Sequence, residues 1–339
     1  MAVLGVDTHK DVHVAVVLND LGRLEAVEQF GTTDADARAL WNWAKRHGQI
    51  HQAGVEGTGS YGYRLARMLA DQGIEVLEVS RPDRARRRRR GKTDAVDAEA
   101  AARAVLARDA TAVPKDREGP VGQLRALMVA RRSAVKARTQ ATNQVKALLV
   151  GSHDQLRQQL QARRTRDLMA RCSLLRGRDG LRRALRSLAR RWQALDIEVR
   201  ELEELVIELV AGTAPELTRR PAVGALTAAQ LLITAGDNPQ RLRSEAAFAA
   251  LCGVSPVEAS SGQTVRHRLN RGGDRAANNA LWTIAHVRLV HDERTRAYGA
   301  RRTALGDNRK EILRRLKRYI AREIYPLIVN ALSVSKAPT

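Results

Sequence analysis

The chain runs to 339 residues and carries 59 Lys and Arg against 37 Asp and Glu, a formal net charge of +22. That length exceeds one usual domain and gives each of two units room for a real core. An apolar share of 44% with only 3% aromatics excludes a wholly disordered chain and points to aliphatic helix packing more than to layered β-sandwiches.

The charge is unevenly placed. Residues 1–80 hold seven basic and eleven acidic side chains, net −4, which leaves 52 basic and 26 acidic, net +26, in the rest. An acidic head on a basic body is the electrostatic footprint of a protein that neutralises phosphates, although a merely solvated surface gives the same count. Cys172 and Cys252 are too few for a disulfide framework and wrongly arranged for zinc, so a reducing cytosol fits. The N-terminal stretch reaches Asp7 before a signal-peptide core can form, and no apolar run approaches membrane-spanning length. A cytoplasmic protein without membrane contact is expected.

In chain order, Val- and Leu-rich runs at 3–7, 12–18 and 24–30 predict a three-stranded meander. A helix over 34–47, a strand over 50–56, a helix over 61–72, a strand over 74–80 and a helix over 94–108 follow. The order βββαβαβα is that of ribonuclease-H-like nuclease domains, in which a mixed sheet carries helices on both faces. Between the last strand and helix lies a block of like charge, Arg86, Arg87, Arg88, Arg89, Arg90 and Lys92, that needs an anionic partner or bulk water. Beside an active edge, phosphate binding is the favoured reading.

From 121 to 209 the chain is strongly helical, with one break near Arg176-Gly-Arg-Asp-Gly180. Leu181, Leu185, Leu188, Trp192, Leu195, Val199, Leu202, Val206 and Leu209 alternate steps of four and three, a heptad seam that can pair within one chain or between subunits. The expected organisation is therefore an α/β domain over 1–115, a helical coiled-coil connector over 116–213 and a mostly α domain over 214–339.

Candidate chemistry lies at two places. Asp7 and Glu56 fall at the ends of strands that neighbour each other in a ribonuclease-H-like sheet, and Asp94 and Asp97 share one face of a helix start that Thr93 can cap. Four such carboxylates repel unless cations lie between them, and oxygen ligands suit Mg²⁺ or Mn²⁺, which stabilise both oxygens of a phosphodiester exchange. Each acid alone has a structural explanation at a strand end or helix start. His9 and Lys10 follow Asp7 closely enough to touch a phosphate, although a surface turn is the favoured reading for both. In the C-terminal region, Pro221-Ala-Val223-Gly224 resembles a helix-hairpin-helix turn, whose backbone N–H groups hold a DNA phosphate, or else an ordinary helix connection. Ser260-Ser261-Gly262 precedes Arg266, Arg268, Arg271 and Arg275; a serine there can attack phosphorus while arginines stabilise the developing charge, or simply form a turn.

Taken together, Gly5-Val-Asp7-Thr-His-Lys10, Val55-Glu56-Gly-Thr-Gly, Lys92-Thr-Asp94-Ala-Val-Asp97-Ala, Pro221-Ala-Val-Gly224 and Ser260-Ser-Gly262 resemble, in matching order over nearly the whole chain, the DEDD transposases of bacterial insertion sequences, also called bridge-RNA-guided serine recombinases. The resemblance implies a RuvC-like N-terminal domain whose acids correspond to Asp7, Glu56, Asp94 and Asp97, and a C-terminal domain whose nucleophile corresponds to Ser261. It also implies a coiled-coil connection used in oligomerisation, as a dimer or tetramer, a covalent serine–phosphate intermediate, and an element-encoded guide RNA that chooses donor and target DNA. Where many relatives read isoleucine-serine-lysine-arginine-glycine, with an arginine farther on, this chain has Leu269-Asn-Arg-Gly-Gly and Asn278, so no role is carried to Asn278; the neighbouring Ser260 leaves two candidate serines. Rival readings are a metal-dependent nuclease in which water attacks, and a noncatalytic nucleic-acid-binding protein.

Overall fold

The first strand, β1 (Ala2–Thr8), is buried along its whole length, the mark of a central strand covered on both faces. The computed structural model in which it lies describes residues 1–79, 93–238, 241–258, 260, 267–268, 270 and 272–334. β1 pairs antiparallel with β2 (His13–Asn19), which pairs antiparallel with β3 (Leu24–Phe30); on its other side β1 runs parallel to β4 (Ile50–Glu56), and β4 to β5 (Glu75–Val79). The sheet order is β3-β2-β1-β4-β5. β3 is mostly exposed at the edge, where Glu25 and Glu28 discourage further strand pairing. This five-stranded mixed sheet is compatible with the ribonuclease-H-like arrangement expected from the sequence.

One sheet face packs on α1 (Asp34–Arg46) and α2 (Tyr63–Asp71), burying Leu4, Val6 and Val55 against Leu40, Trp43, Leu65 and Leu69. Each of these leucines contributes roughly 1.5–3 kcal/mol on burial. The opposite face packs on α3 (Asp94–Leu106), with Val3, Val16, Leu18 and Leu77 against Ala98, Ala102 and Val105. The sheet under α3 has no side chain at Gly5 or Gly54. A Cβ at Gly5 would lie 2.1 Å from the Ala98 carbonyl oxygen, and one at Gly54 2.5 Å from that of Ala101. Small residues on the helix and glycines on the strands therefore bring backbone against backbone.

The chain divides into two compact units, 1–115 and 116–339. The second begins with a hairpin of long helices, α4 (Pro120–Val150) and α7 (Gly180–Thr213). The heptad seam of α7 faces α4 in part: Leu185, Trp192, Val199 and Val206 are buried while Leu181, Leu188, Leu195, Leu202 and Leu209 are half-buried, and the helices are tied by Arg131 to Glu203 at 2.8 Å and by Arg138 to Asp196 at 2.6 Å. Buried Asp196 also meets Arg166 and Arg200. The sequence predicts one helix break between 121 and 209, whereas the chain also turns at 151–153 and 161–164. Short helices α5 (Asp154–Leu160) and α6 (Thr165–Ser173) fill that interval. These turns let Leu156, Leu160, Met169 and Cys172 close the end of the hairpin against Val145, Leu185 and Trp192. A straight helix would leave those residues facing water.

At its other end the hairpin joins the C-terminal helices in one core: Val121, Leu124, Val206 and Val210 pack with Leu231, Phe248, Leu281 and Ile324. The elements here are α8 (Pro215–Thr218), α9 (Ala225–Ala235), α10 (Glu245–Leu251), the ribbon β6 (Val257–Glu258) and β7 (His267–Arg268), then α11 (Arg275–His291), α12 (Glu293–Ala304) and α13 (Arg309–Val334). The first turn of α4 has no cap of its own. Asp237 supplies one from far along the chain, accepting from the backbone N–H groups of Gly119 at 3.2 Å, Val121 at 3.0 Å and Gly122 at 3.2 Å. No described helix is long and apolar enough to cross a membrane.

The α3 contact generates a stability prediction. Gly5→Ala should lower the thermal midpoint of unfolding in scanning calorimetry, by an overpacking loss of about 1–3 kcal/mol. Gly212→Ala, at an α7 position where an added Cβ meets nothing within 4 Å, should leave the midpoint unchanged or raise it. Equal effects at the two glycines would mean that α3 does not depend on the bare strand surface.

Candidate active site

Four conditions set by the fold bring acids to one sheet end. Val6 pairs with Val55 in parallel register, and both face the α1–α2 core, so Asp7 and Glu56, one residue on, turn to the α3 face at the C-terminal ends of adjacent strands. The Thr8 hydroxyl donates to the Glu56 carbonyl at 2.7 Å and fastens the two ends together. Immediately afterwards Gly57 adopts φ +71°, a left-handed conformation that suits glycine, with its α-carbon side closed by Thr8. On α3, Thr93 accepts from the Val96 N–H as N-cap, which starts the helix so that Asp94 and Asp97 fall in its first turn.

The result is a cluster in which ligand atoms of Asp7, His9 and Asp94 all lie within 4.8 Å of one another. His9 Nε2 sits 3.1 Å from Asp7 Oδ2 and 3.4 Å from Asp94 Oδ1. Asp7 and Asp97 are buried, at 5% and 3% exposure, while Asp94 is open to solvent and Glu56 is half-buried. Burial holds the Asp7 carboxyl above the usual carboxylate range; His9 pulls it down, and the charges of Asp97 and Asp94 push it up again. Glu56 and Asp97 stand outside the three-residue cluster. Asp97 is nonetheless close enough for its charge to act on Asp7.

Sequence reasoning passed over His9 as part of a surface turn. The signal was its spacing: two residues beyond Asp7, it falls on the same side of an extended chain. Two carboxylates and an imidazole, with a further carboxylate acting on them, form a donor set compatible with a divalent cation, and the buried, charge-crowded Asp7 is the residue such an ion relieves most.

The other candidates fall elsewhere. Arg86, Arg87, Arg88, Arg89, Arg90, Lys92, Ser261, Arg266 and Arg271 lie outside the described residues. Arg268 on β7 and Arg275, the first residue of α11, are exposed. Val223 is 4% exposed and packs into the C-terminal core, so only backbone at this turn can meet a phosphate. Gly224 is the N-cap of α9, and open space surrounds its α-carbon. The helix before this turn, α8, has only four residues.

The raised Asp7 pKa fixes a sign. An acid whose pKa is higher in the folded state stabilises the fold only when protonated, below its unfolded pKa, and that contribution is lost as pH rises through the folded pKa. At neutral pH the ionised Asp7 therefore costs stability. With chelator present, Asp7→Asn should raise the thermal midpoint at neutral pH, and the gain should vanish as pH falls into the carboxylate range. A lowered midpoint at neutral pH would show that hydrogen bonding to His9 outweighs burial.

Comparisons with known proteins agree with this arrangement. A family model described as "Transposase", the DEDD transposase of IS110 type, matches residues 4–153, and one described as "Transposase IS116/IS110/IS902 family" matches residues 214–300. A relative in Streptomyces coelicolor named "Insertion element IS110 uncharacterized 43.6 kDa protein" is 33% identical over 135 residues, 39% of this chain and 33% of the relative. The matched segment thus spans a third of that curated relative's length. With both family domains present in order, one carrying the carboxylate cluster and the other the C-terminal helices, the chain belongs to the IS110 family of transposases.

Proposed function

We propose that the chain cuts and rejoins the DNA of an insertion sequence, with Asp7, Glu56, Asp94 and Asp97 holding Mg²⁺ or Mn²⁺ and Ser261 as the attacking group. The observation that carries the reading is the convergence of Asp7, His9 and Asp94 at the sheet end, in a domain matched by a DEDD transposase family. A divalent ion bound there would neutralise charge on a scissile phosphate and polarise it toward attack. The residues themselves do the rest. Buried Asp7 fixes the position of the site against the sheet, exposed Asp94 completes it from α3, and His9 orients both carboxylates through Nε2.

In the proposed step, Ser261 Oγ forms a bond to phosphorus as a phosphorus–sugar oxygen bond breaks. The hydroxyl proton passes to solvent and the departing sugar oxygen takes up a proton. The serine–phosphate ester conserves the bond, so a second DNA hydroxyl can displace the serine and rejoin strands. Donor and target DNA are the substrates in this reading, and an element-encoded RNA guides their choice. The net +26 carried after residue 80 supports a phosphate-bearing partner. A homo-oligomer is part of this reading, and α7 offers it the half-buried seam residues Leu195 and Leu202 beside exposed Ile197, Leu205 and Ile207.

Two experiments test this reading. Ser261→Ala should abolish strand exchange and the covalent protein–DNA adduct, and Ser260→Ala should leave both intact; each Asp7→Asn, Glu56→Gln, Asp94→Asn and Asp97→Asn variant should lose metal-dependent scission. Scission that persists in Ser261→Ala without an adduct would assign the attack to water. Separately, neutralising Arg86 to Arg90 should flatten the slope of log affinity against log salt for DNA, by roughly 0.9 for each phosphate that the block neutralises. An unchanged slope in the titration would leave that block as solvated surface.

A further inference from the structure

The C-terminal helices form an open cavity of about 730 Å³ whose lining includes none of Asp7, Glu56, Asp94 and Asp97. One wall is backbone at Gly253, Gly272 and Gly273; the opposite wall is α13, which contributes Lys310, Arg314 and Lys317, and Arg275 stands at the start of α11. Among the described residues, none of these four cations is paired with a carboxylate. The carboxylate in the lining, Asp274, is already committed, accepting from the N–H groups of Ala276 and Ala277 and from the Thr234 hydroxyl.

Lys317 is held in place. Its Nζ donates to Asn278 Oδ1 at 2.8 Å, while Asn278 Nδ2 donates to the carbonyls of Cys252 and Gly253, each at 3.0 Å. Both ends of the amide are therefore used to fix one ammonium, whose remaining N–H groups make no other hydrogen bond among the described residues. Burial and the neighbouring Arg314 push the Lys317 pKa down, so its charge is maintained against desolvation and gains from an anion beside it.

The cavity rim also carries an aromatic platform. Trp282 is 42% exposed and stacks on His286, with ring centroids 5.0 Å apart and planes 9° apart. An exposed, oriented indole beside unpaired cations joins the two elements of single-strand recognition: charge for the backbone and a π-face for the base. We propose that this cavity binds an unpaired nucleic-acid segment, with its phosphate on Lys317 and Arg314 and a base laid on the Trp282–His286 stack. Duplex DNA fits the chemistry less well, because its bases are already stacked and offer no face to the indole. The proposal rests on the reading of the chain as an enzyme that handles nucleic acid, and it adds where an unpaired strand is gripped.

The test reads binding by fluorescence anisotropy in chelator, so that no cleavage is required. Full-length protein is titrated against a fluorescein-labelled oligothymidylate, the matching oligouridylate and a duplex. Trp282→Ala should weaken single-strand binding by about tenfold, while Trp282→Phe retains most of it and duplex affinity stays within about twofold. Lys317→Gln should weaken single-strand binding and reduce its salt slope by about one. A larger loss for oligouridylate identifies the strand as RNA and a larger loss for oligothymidylate as DNA; either supports the proposal. Unchanged single-strand affinity in Trp282→Ala, or an equal loss for duplex, overturns it. Absence of scission by the unsubstituted protein would count against the catalytic reading alone, since these affinities are measured without metal.

Discussion

Helix α3 can reach the carboxylate end of the sheet only because β1 and β4 present bare backbone at Gly5 and Gly54. A side chain at either strand position would push the helix outward by about the width of a methyl group, and its first turn would move with it. Asp94 enters the cluster from that turn, and Asp97 acts on Asp7 from it. Divalent-ion coordination tolerates displacements of only a few tenths of an ångström in its ligands. The packing of small residues in the middle of α3 is thus what sets the chemistry at its start.

The site works against the stability of the domain that carries it. A buried carboxylate with two acidic neighbours is strained until something cationic joins it, and His9 supplies part of that relief by bridging Asp7 and Asp94. The surrounding core compensates. Leu4, Val6, Leu40, Leu65 and Leu69 on one face and Val16, Leu18 and Ala98 on the other are almost wholly buried, so a local electrostatic penalty does not unseat the sheet. Local conflict inside a consistent fold is how a site differs from the scaffold around it.

Much of the first unit was legible in the sequence because its signals are local. Short Val-rich runs give strands, Thr93 before Asp94 gives a capped helix start, and the order of elements gives the sheet. His9 was not legible in the same way, since a histidine after a strand is ordinary and its value depends on Asp94, far along the chain, arriving beside it. The second unit was harder. Heptad spacing marked which α7 residues would be buried but not what would bury them, and the answer, α4, comes from Leu156, Met169 and Cys172 closing the hairpin end. The turn at 151–153 does open on a glycine, Gly151, the C-cap of α4, whereas 161–164 has neither Gly nor Pro to mark a break and is imposed by that closure. Val223 carried a motif reading, yet its apolar side chain goes where apolar side chains go, into the core.

Asp237 shapes how the protein comes into being. The first turn of α4 opens on Gly119 and Pro120, neither of which offers a side-chain acceptor, and the donors of that turn are met by a carboxylate 115 to 118 residues later. On the ribosome the sheet unit is whole well before Asp237 has been made, whereas the long helix that follows it must wait for a partner still unsynthesised. The two units are therefore separated in synthesis as well as in sequence: the carboxylate half is complete before Asp237 exists, and the first turn of α4 gains its cap only when the chain returns to close its own beginning.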